Sequence, residues 1–285
     1  MKKYLIGLLA LPMLFWSCDA DEGTEPGSDR TPNVVIYTYA PEDGSGLDAD
    51  NDVTVRFATN SATSEVYYLS ELESTAQAEI EANGEAAYID KVIANGQKID
   101  VDGAQNVEVS LTGMTANYLI TAVAVNGNNR SPRMSVVFEG VAWKDVTTGT
   151  FYFRQSFIDI QSVETSLQVC ETEPTLYRLK NVFGSGHSLK IVKLDTTAED
   201  ADGKFNLARI PLQATGLPYG RYEIAVEDIG YWQGNNAYCT DPTSWAINQF
   251  YEDNNLYLQI CWGALSGGAW AGYLDYQSPS YFIPD

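Results

Sequence analysis

LTGMTANYLITAVAVNGNNRSP, residues 111–132, decides the architecture of this chain. Its centre, 117–127, is rich in β-branched and aromatic residues and is bounded by the turn formers Gly113 and Asn128, the signature of a strand between two tight connections. Tyr118, Ile120, Ala122 and Ala124 recur at period two and mark one face. Outward from this stretch the same grammar repeats at 33–40, 52–59, 65–72, 106–113 and 133–140. In 52–59, Val53, Val55 and Phe57 alternate with Thr54 and Arg56, so one face is expected to be buried and the other wet. Short strands separated by turn signals predict an all-β sandwich over 33–140. Residues 73–96 interrupt it: Ala86, Ala87, Ile89, Val92 and Ile93 fall at helical spacing and predict one or two short helices inserted between strands.

The 111–132 stretch resembles the fibronectin type III pattern around one inter-sheet turn and the strand that follows. The resemblance implies that Leu111 closes a strand and that Tyr118 sits at the tyrosine corner, its ring in the core and its hydroxyl on backbone. Phe57 stands where tryptophan is commonest in that fold, and the helical insertion is a second departure. Folds of this Ig-like class host many functions, so no reaction follows from it.

After GVAWKDVTTGTFYF (140–153), with Trp143 expected at the junction, a second β-sandwich-like region runs from 141 to 285. Its strand candidates are 162–171, 174–183, 188–195, 205–214, 222–232 and 255–265. No long linker separates the two regions, which predicts a fixed angle between them. WKDVTTGTF and TLYRLKNVFG within this layout are similar to two-domain surface lipoproteins of Bacteroidetes whose function is unknown. That similarity implies a class and a location, and no reaction.

Lys and Arg number 17 against 38 Asp and Glu, a formal charge of −21, which repels nucleic acid and anionic lipid. Four cysteines and one histidine leave little material for zinc sites or His-based catalysis. His187 lies in a Gly/Ser turn and reads as a surface residue, GSG is not the GxSxG elbow, and no phosphate loop is present. Asp48, Asp50 and Asp52 invite a calcium reading, but Val53 and Thr59 occupy the positions where the EF-hand loop needs Gly and Glu, so a solvated turn is the expectation. Asp202 and Gly203 read as a hairpin turn. No catalytic residue, metal ligand or cofactor is assigned, and Glu227 with Asp253 is a carboxylate pair on paper only.

The last third stands apart. Residues 222–285 contain no lysine or arginine, while Trp232, Trp245, Trp262 and Trp270 are four of the six tryptophans. Trp262, in a run apolar in both phases, reads as core. The loop 230–245 gathers Tyr231, Trp232, Gln233, Asn235, Asn236, Asp241 and Trp245, and with Trp270 these form the expected ligand-binding set. Aromatic faces stack on the C–H faces of sugars while amides and carboxylates meet hydroxyls. Cys239 and Cys261 are the expected disulfide, stapling this loop to a central strand, with Cys170 left free.

At the amino end, Lys2 and Lys3 precede 13 residues, Tyr4 to Trp16, that are apolar apart from Gly7 and Pro12, too few to span a bilayer. Ser17 and Cys18 then resemble the lipobox of bacterial lipoproteins, which implies cleavage after residue 17 and acylation of Cys18; an ordinary cleaved signal is the alternative. Residues 18–32 hold five acids, one base and two prolines, the composition of a flexible tether. The acid run after Cys18 also looks like the signal that exports lipoproteins to the outer face of the outer membrane, the alternative being a leash facing the periplasm. The expectation is a surface lipoprotein, anchored in the membrane by its lipid, that binds an extracellular glycan without catalysis. An adhesion or assembly component recognising protein, and a glycan or peptide hydrolase, are the other readings. Cys18→Ala should abolish incorporation of labelled palmitate and release the protein from the membrane fraction; palmitate entering the variant at the wild-type level would refute the anchor.

Overall fold

A computed structural model describes residues 30–42 and 45–285. The signal segment, Cys18 and most of the tether lie outside the described residues. The first unit comprises β1 (Val34–Tyr39), β2 (Val53–Thr59), β3 (Glu65–Leu72), α1 (Glu73–Asn95), β4 (Gln97–Asp100), β5 (Asn106–Leu111), β6 (Asn117–Asn126), β7 (Asn129–Arg130) and β8 (Met134–Glu139). One antiparallel sheet has the order β1-β2-β5; the other runs β4-β3-β6, with β7 and β8 both paired to β6. Val34, Val55, Phe57, Tyr68, Ile120 and Ala122 fill the space between them, and Tyr118 packs at its margin. Phe57 is fully buried against Tyr68, with ring centroids 4.9 Å apart.

β6 is buried on both faces because the inserted helix covers the second one. Leu119 and Val123 point away from the sandwich core and pack on Ala76, Tyr88 and Val92 of α1. The helix breaks at Gly84 (φ 84°, ψ 166°), so the insertion is two helical segments. Ala86 and Ala87, expected on the packed face, are exposed. Tyr88 takes their place, its ring buried and its hydroxyl donating to Glu71 at 2.8 Å.

The second unit comprises β9 (Trp143–Tyr152), β10 (Ser162–Cys170), β11 (Leu176–Leu179), β12 (Leu189–Asp200), β13 (Gly203–Arg209), β14 (Gln213–Tyr219), β15 (Tyr222–Asp228), α2 (Ile229–Trp232), α3 (Ala237–Thr240), β16 (Asn248–Tyr251), β17 (Leu256–Leu258), β18 (Ile260–Ser266), β19 (Ala269–Asp275) and β20 (Ser280–Pro284). Two β layers share one core, as a sandwich requires, but one layer closes on itself. The ring is β9-β10-β11-β12-β13-β16-β17-β20, with β20 returning to β9, which removes open edges from that layer. The open layer is β14-β15-β18-β19. Phe151, Leu167, Ile191, Phe250 and Phe282 of the ring meet Ile224, Val226, Ile260 and Trp262 of the open sheet. Trp262 is completely buried among Phe153, Phe157 and Phe183. The hairpin expected at Asp202 and Gly203 joins β12 to β13, with Gly203 at φ 131°. His187, read as a surface residue, is half-buried: its imidazole packs on Gly216, where a Cβ would collide with the ring.

The aspartate loop corrects the expectation of a solvated turn. Arg178, on β11, sends Nη1 to Asp48 Oδ2 at 2.7 Å and to Asp50 Oδ2 at 2.8 Å, and its side chain is only 3% exposed. Lys190 on β12 donates to the other oxygen of Asp50 at 2.6 Å. The Arg178 Nε donates to Gln168 at 2.8 Å, and the guanidinium lies over the Trp143 ring at 4.5 Å. Backbone completes the joint: Val141 N–H donates to Asp50 O, and Asn51 Nδ2 to Val141 O. Asp52 stays within the first unit, accepting from the Gly113 N–H at 2.9 Å. These carboxylates are therefore committed to cations and backbone of the same chain.

Removing one partner of a buried ion pair leaves the other charge desolvated and unpaired, at a cost of about 3 kcal/mol or more. Arg178→Ala should lose that much stability in urea denaturation, with the 140–142 connection becoming protease-sensitive while the separate units still fold. A loss below about 1 kcal/mol, the value typical of a surface pair, would refute the clamp.

Candidate functional site

The expected loop, 230–245, is not the continuation of strand β15 that its apolar start suggested. Asp228 ends the strand and caps α2, its Oδ1 accepting from the Tyr231 N–H at 3.0 Å. The carboxylate is wholly buried and is held by Arg209, Nε to Oδ2 at 2.6 Å and Nη2 to Oδ1 at 3.0 Å, while the Ile210 N–H donates to Oδ2 at 3.0 Å. This two-pronged geometry satisfies both oxygens of a carboxylate taken out of water. The same guanidinium lies 3.8 Å below the Tyr231 ring and reaches Asn236 Oδ1 at 3.2 Å. Arg209, on β13 and far from the loop in sequence, is thus its organising residue.

The outer face of the open sheet forms the floor of the site. Across β15 and β18, Ala225 pairs with Gly263 and Glu227 with Cys261. The Trp270 ring lies across Gly263 so closely that a Cβ there would stand 2.5 Å from it. β19 bulges twice against β18, so Trp270 pairs with Leu265 and Tyr273 with Gly263. One extra residue between them puts Trp270 and Tyr273 on the same face, where strict alternation would have separated them.

The result is a chain of rings. Trp232 meets Trp270 edge to face at 4.5 Å and Tyr273 at 6.3 Å; Tyr273 meets Tyr276 at 5.1 Å; Tyr276 meets Trp245 at 5.8 Å; and Trp245 meets Tyr238 at 6.3 Å. Trp245 is 60% exposed and, with Gln259, Tyr276 and Gln277, lines an open depression of about 400 Å³. Of the expected set, Trp232, Trp245 and Trp270 come together in this band. Tyr231 is exposed at its edge over Arg209, and Gln233 is exposed. Asn235, Asn236 and Asp241 serve the loop itself: Asn235 accepts from the Ala237 N–H, Asn236 from Arg209, and Asp241 from the backbone and hydroxyl of Thr243 at 2.9 and 2.8 Å. Those two Thr243 bonds hold the Asp241 carboxyl below its ordinary range. Tyr273 and Tyr276 lie outside the expected set; the bulged register aligns Tyr273 with Trp270, and Tyr276 follows just past the end of β19.

The expected disulfide is absent. Cys239 and Cys261 are both free and buried in one cluster with Ile229 and Ala246, and the Cys239 thiol donates to Ala246 O at 3.4 Å. Burial pushes each thiol up to about 12, so both remain neutral packing groups. Cys170 is also free and buried. The Glu227–Asp253 pair does not assemble: Glu227 is on the open sheet, whereas Asp253 lies in the β16–β17 turn of the ring, accepting from Asn255. Among the described residues, no group of three or more His, Cys, Asp or Glu is placed to hold a metal ion, and no helix is long and apolar enough to cross a membrane. No family model, curated protein or solved structure matches the chain.

Glu227 is almost completely buried beneath Trp270. Burial raises its carboxyl above the ordinary range, opposed by the Trp270 indole N–H and reinforced by the Asp228 charge. A group harder to ionise when folded contributes stability that is complete below its unfolded value and fades as pH rises through the folded value. The melting temperature of Glu227→Gln should therefore gain on that of the wild type as pH climbs from acid toward neutral. Parallel melting curves across that window would show that Glu227 is not held out of water.

Proposed function

We propose that the protein is a lipid-anchored outer-membrane component, facing the exterior, whose fibronectin type III-like first unit supports a second unit that binds a neutral glycan without catalysis. The observation that carries this reading is the ring band from Trp270 to Tyr238, in which Trp245 stands exposed. An indole offers a flat apolar face at small entropic cost, and the adjacent exposed Gln277 amide suits a sugar hydroxyl. The clamp at Arg178 supports the arrangement, because a rigid first unit holds the band at a fixed orientation to the tether.

Affinity electrophoresis through a panel of neutral polysaccharides tests this function. At least one gel should retard the wild type, and Trp245→Ala or Tyr276→Ala should lower affinity about tenfold, the value of one good stacking contact. No retardation by any member, together with a protein partner that co-purifies undisturbed by sugars, would transfer the function to adhesion or assembly.

A further inference from the structure

Another cleft of the second unit lies elsewhere, and its chemistry differs from that of the band. It is an open cavity of about 670 Å³ between the 153–162 connection and strand β20. Tyr152, Arg154, Ser156, Ile160, Gln161 and Tyr281 shape it, and no aspartate or glutamate is among its lining residues. That is unusual in a chain with 38 acids and a net charge of −21. Asp159 belongs to the same connection and is exposed, but does not line the cleft.

Arg154 is placed there by its neighbours. Phe153 turns inward against Phe151, with ring centroids 4.9 Å apart, and against Trp262. Gln155 is buried and pins the connection to the start of β20, donating to Ser278 O at 2.6 Å and accepting from the Ser280 hydroxyl at 3.3 Å. With residues on both sides facing in, Arg154 faces out, its guanidinium 5.7 Å from the centre of the Tyr281 ring. Among the described residues it has no carboxylate partner, a lack it shares with Arg30 and Arg221, whereas Arg56, Arg130, Arg133, Arg178 and Arg209 each have one. Tyr281 in turn meets Tyr257 at 5.5 Å, and Tyr152, Tyr281 and Tyr257 stand directly opposite one another across β9, β20 and β17.

We infer that this cleft is a second binding site, for a sugar that carries a carboxylate. A planar guanidinium matches a carboxylate with two parallel hydrogen bonds. A single arginine balances one negative charge, which fits a carboxylate better than a phosphate monoester of nearly two. Tyr152, Tyr281 and Ile160 supply the apolar surface that a sugar ring needs, and Ser156 and Gln161 line the cleft where its hydroxyls would lie. The chain's overall negative field opposes an anion at long range. Screening removes most of that opposition beyond about 8 Å, and at contact the unpaired arginine dominates.

The experiment is a titration of the nitrogen-15-labelled full chain with glucuronate, galacturonate and N-acetylneuraminate, each beside its methyl ester, read at the Arg154 Nε–H. At least one acid should shift that signal while its ester does not, and the binding should weaken as salt is raised. Arg154→Gln should lower affinity about tenfold or more, the consequence of losing a charge-assisted pair, with the melting temperature unchanged because the side chain is exposed. Trp245→Ala should leave the response intact, which separates this site from the aromatic band whichever way the band's own test falls. Failure of all three acids to move the Arg154 signal, equal responses to acid and ester, or unaltered affinity in Arg154→Gln would each overturn the inference.

Discussion

The pairing of Arg178 with Asp48 and Asp50 is the constraint on which the arrangement of the two units rests. A guanidinium this deeply buried must be compensated, and the groups that compensate it come from the other unit. Gln168, Trp143 and Lys190 fix the arginine and the aspartates in one geometry, and Gly186 lets Leu47 O approach where any side chain would collide. Because desolvated charges tolerate little displacement, the joint behaves as a rigid contact. The short 140–142 connection alone would permit rotation.

A second buried arginine plays the corresponding part at the aromatic band. Arg209 neutralises Asp228, supports Tyr231 and holds Asn236, so the two short helices keep their place although neither is long enough to be stable alone. With the loop held, Trp232 can close on Trp270, which occupies the volume left open by Gly263. The free thiols underneath are part of the same packing. Their burial keeps them neutral, and the loop is secured by ion pairing and apolar contact without a covalent staple.

Much of the fold was legible because it is written in local patterns. The alternation in 52–59, the run at 117–127 and the helical spacing near Val92 each reflect one element facing one environment, and these elements form where expected. The candidate site was legible in part, since tryptophans among Gly, Asn and Ser were drawn to a surface, and Trp232, Trp245 and Trp270 do lie in one band. Asn236 and Asp241 make bonds within the protein that their residue types did not foretell, because a polar side chain in a loop can face a ligand or its own chain.

From the order of residues alone come the all-β class, the helical insertion, the core assignment of Trp262 and the acidic character of the whole chain. Each depends on the periodicity or the sum of side-chain properties, which neighbours in sequence carry themselves. Tertiary structure decided the closure of the ring through β20 and β9, the capture of the aspartate loop by Arg178, the bulges that align Tyr273 with Trp270, and the unpaired exposure of Arg154. Three of the four depend on partners more than 100 residues away, and the bulges on the register between two neighbouring strands. A charge or a ring acquires its role from what packs against it, and only the folded chain brings those groups together.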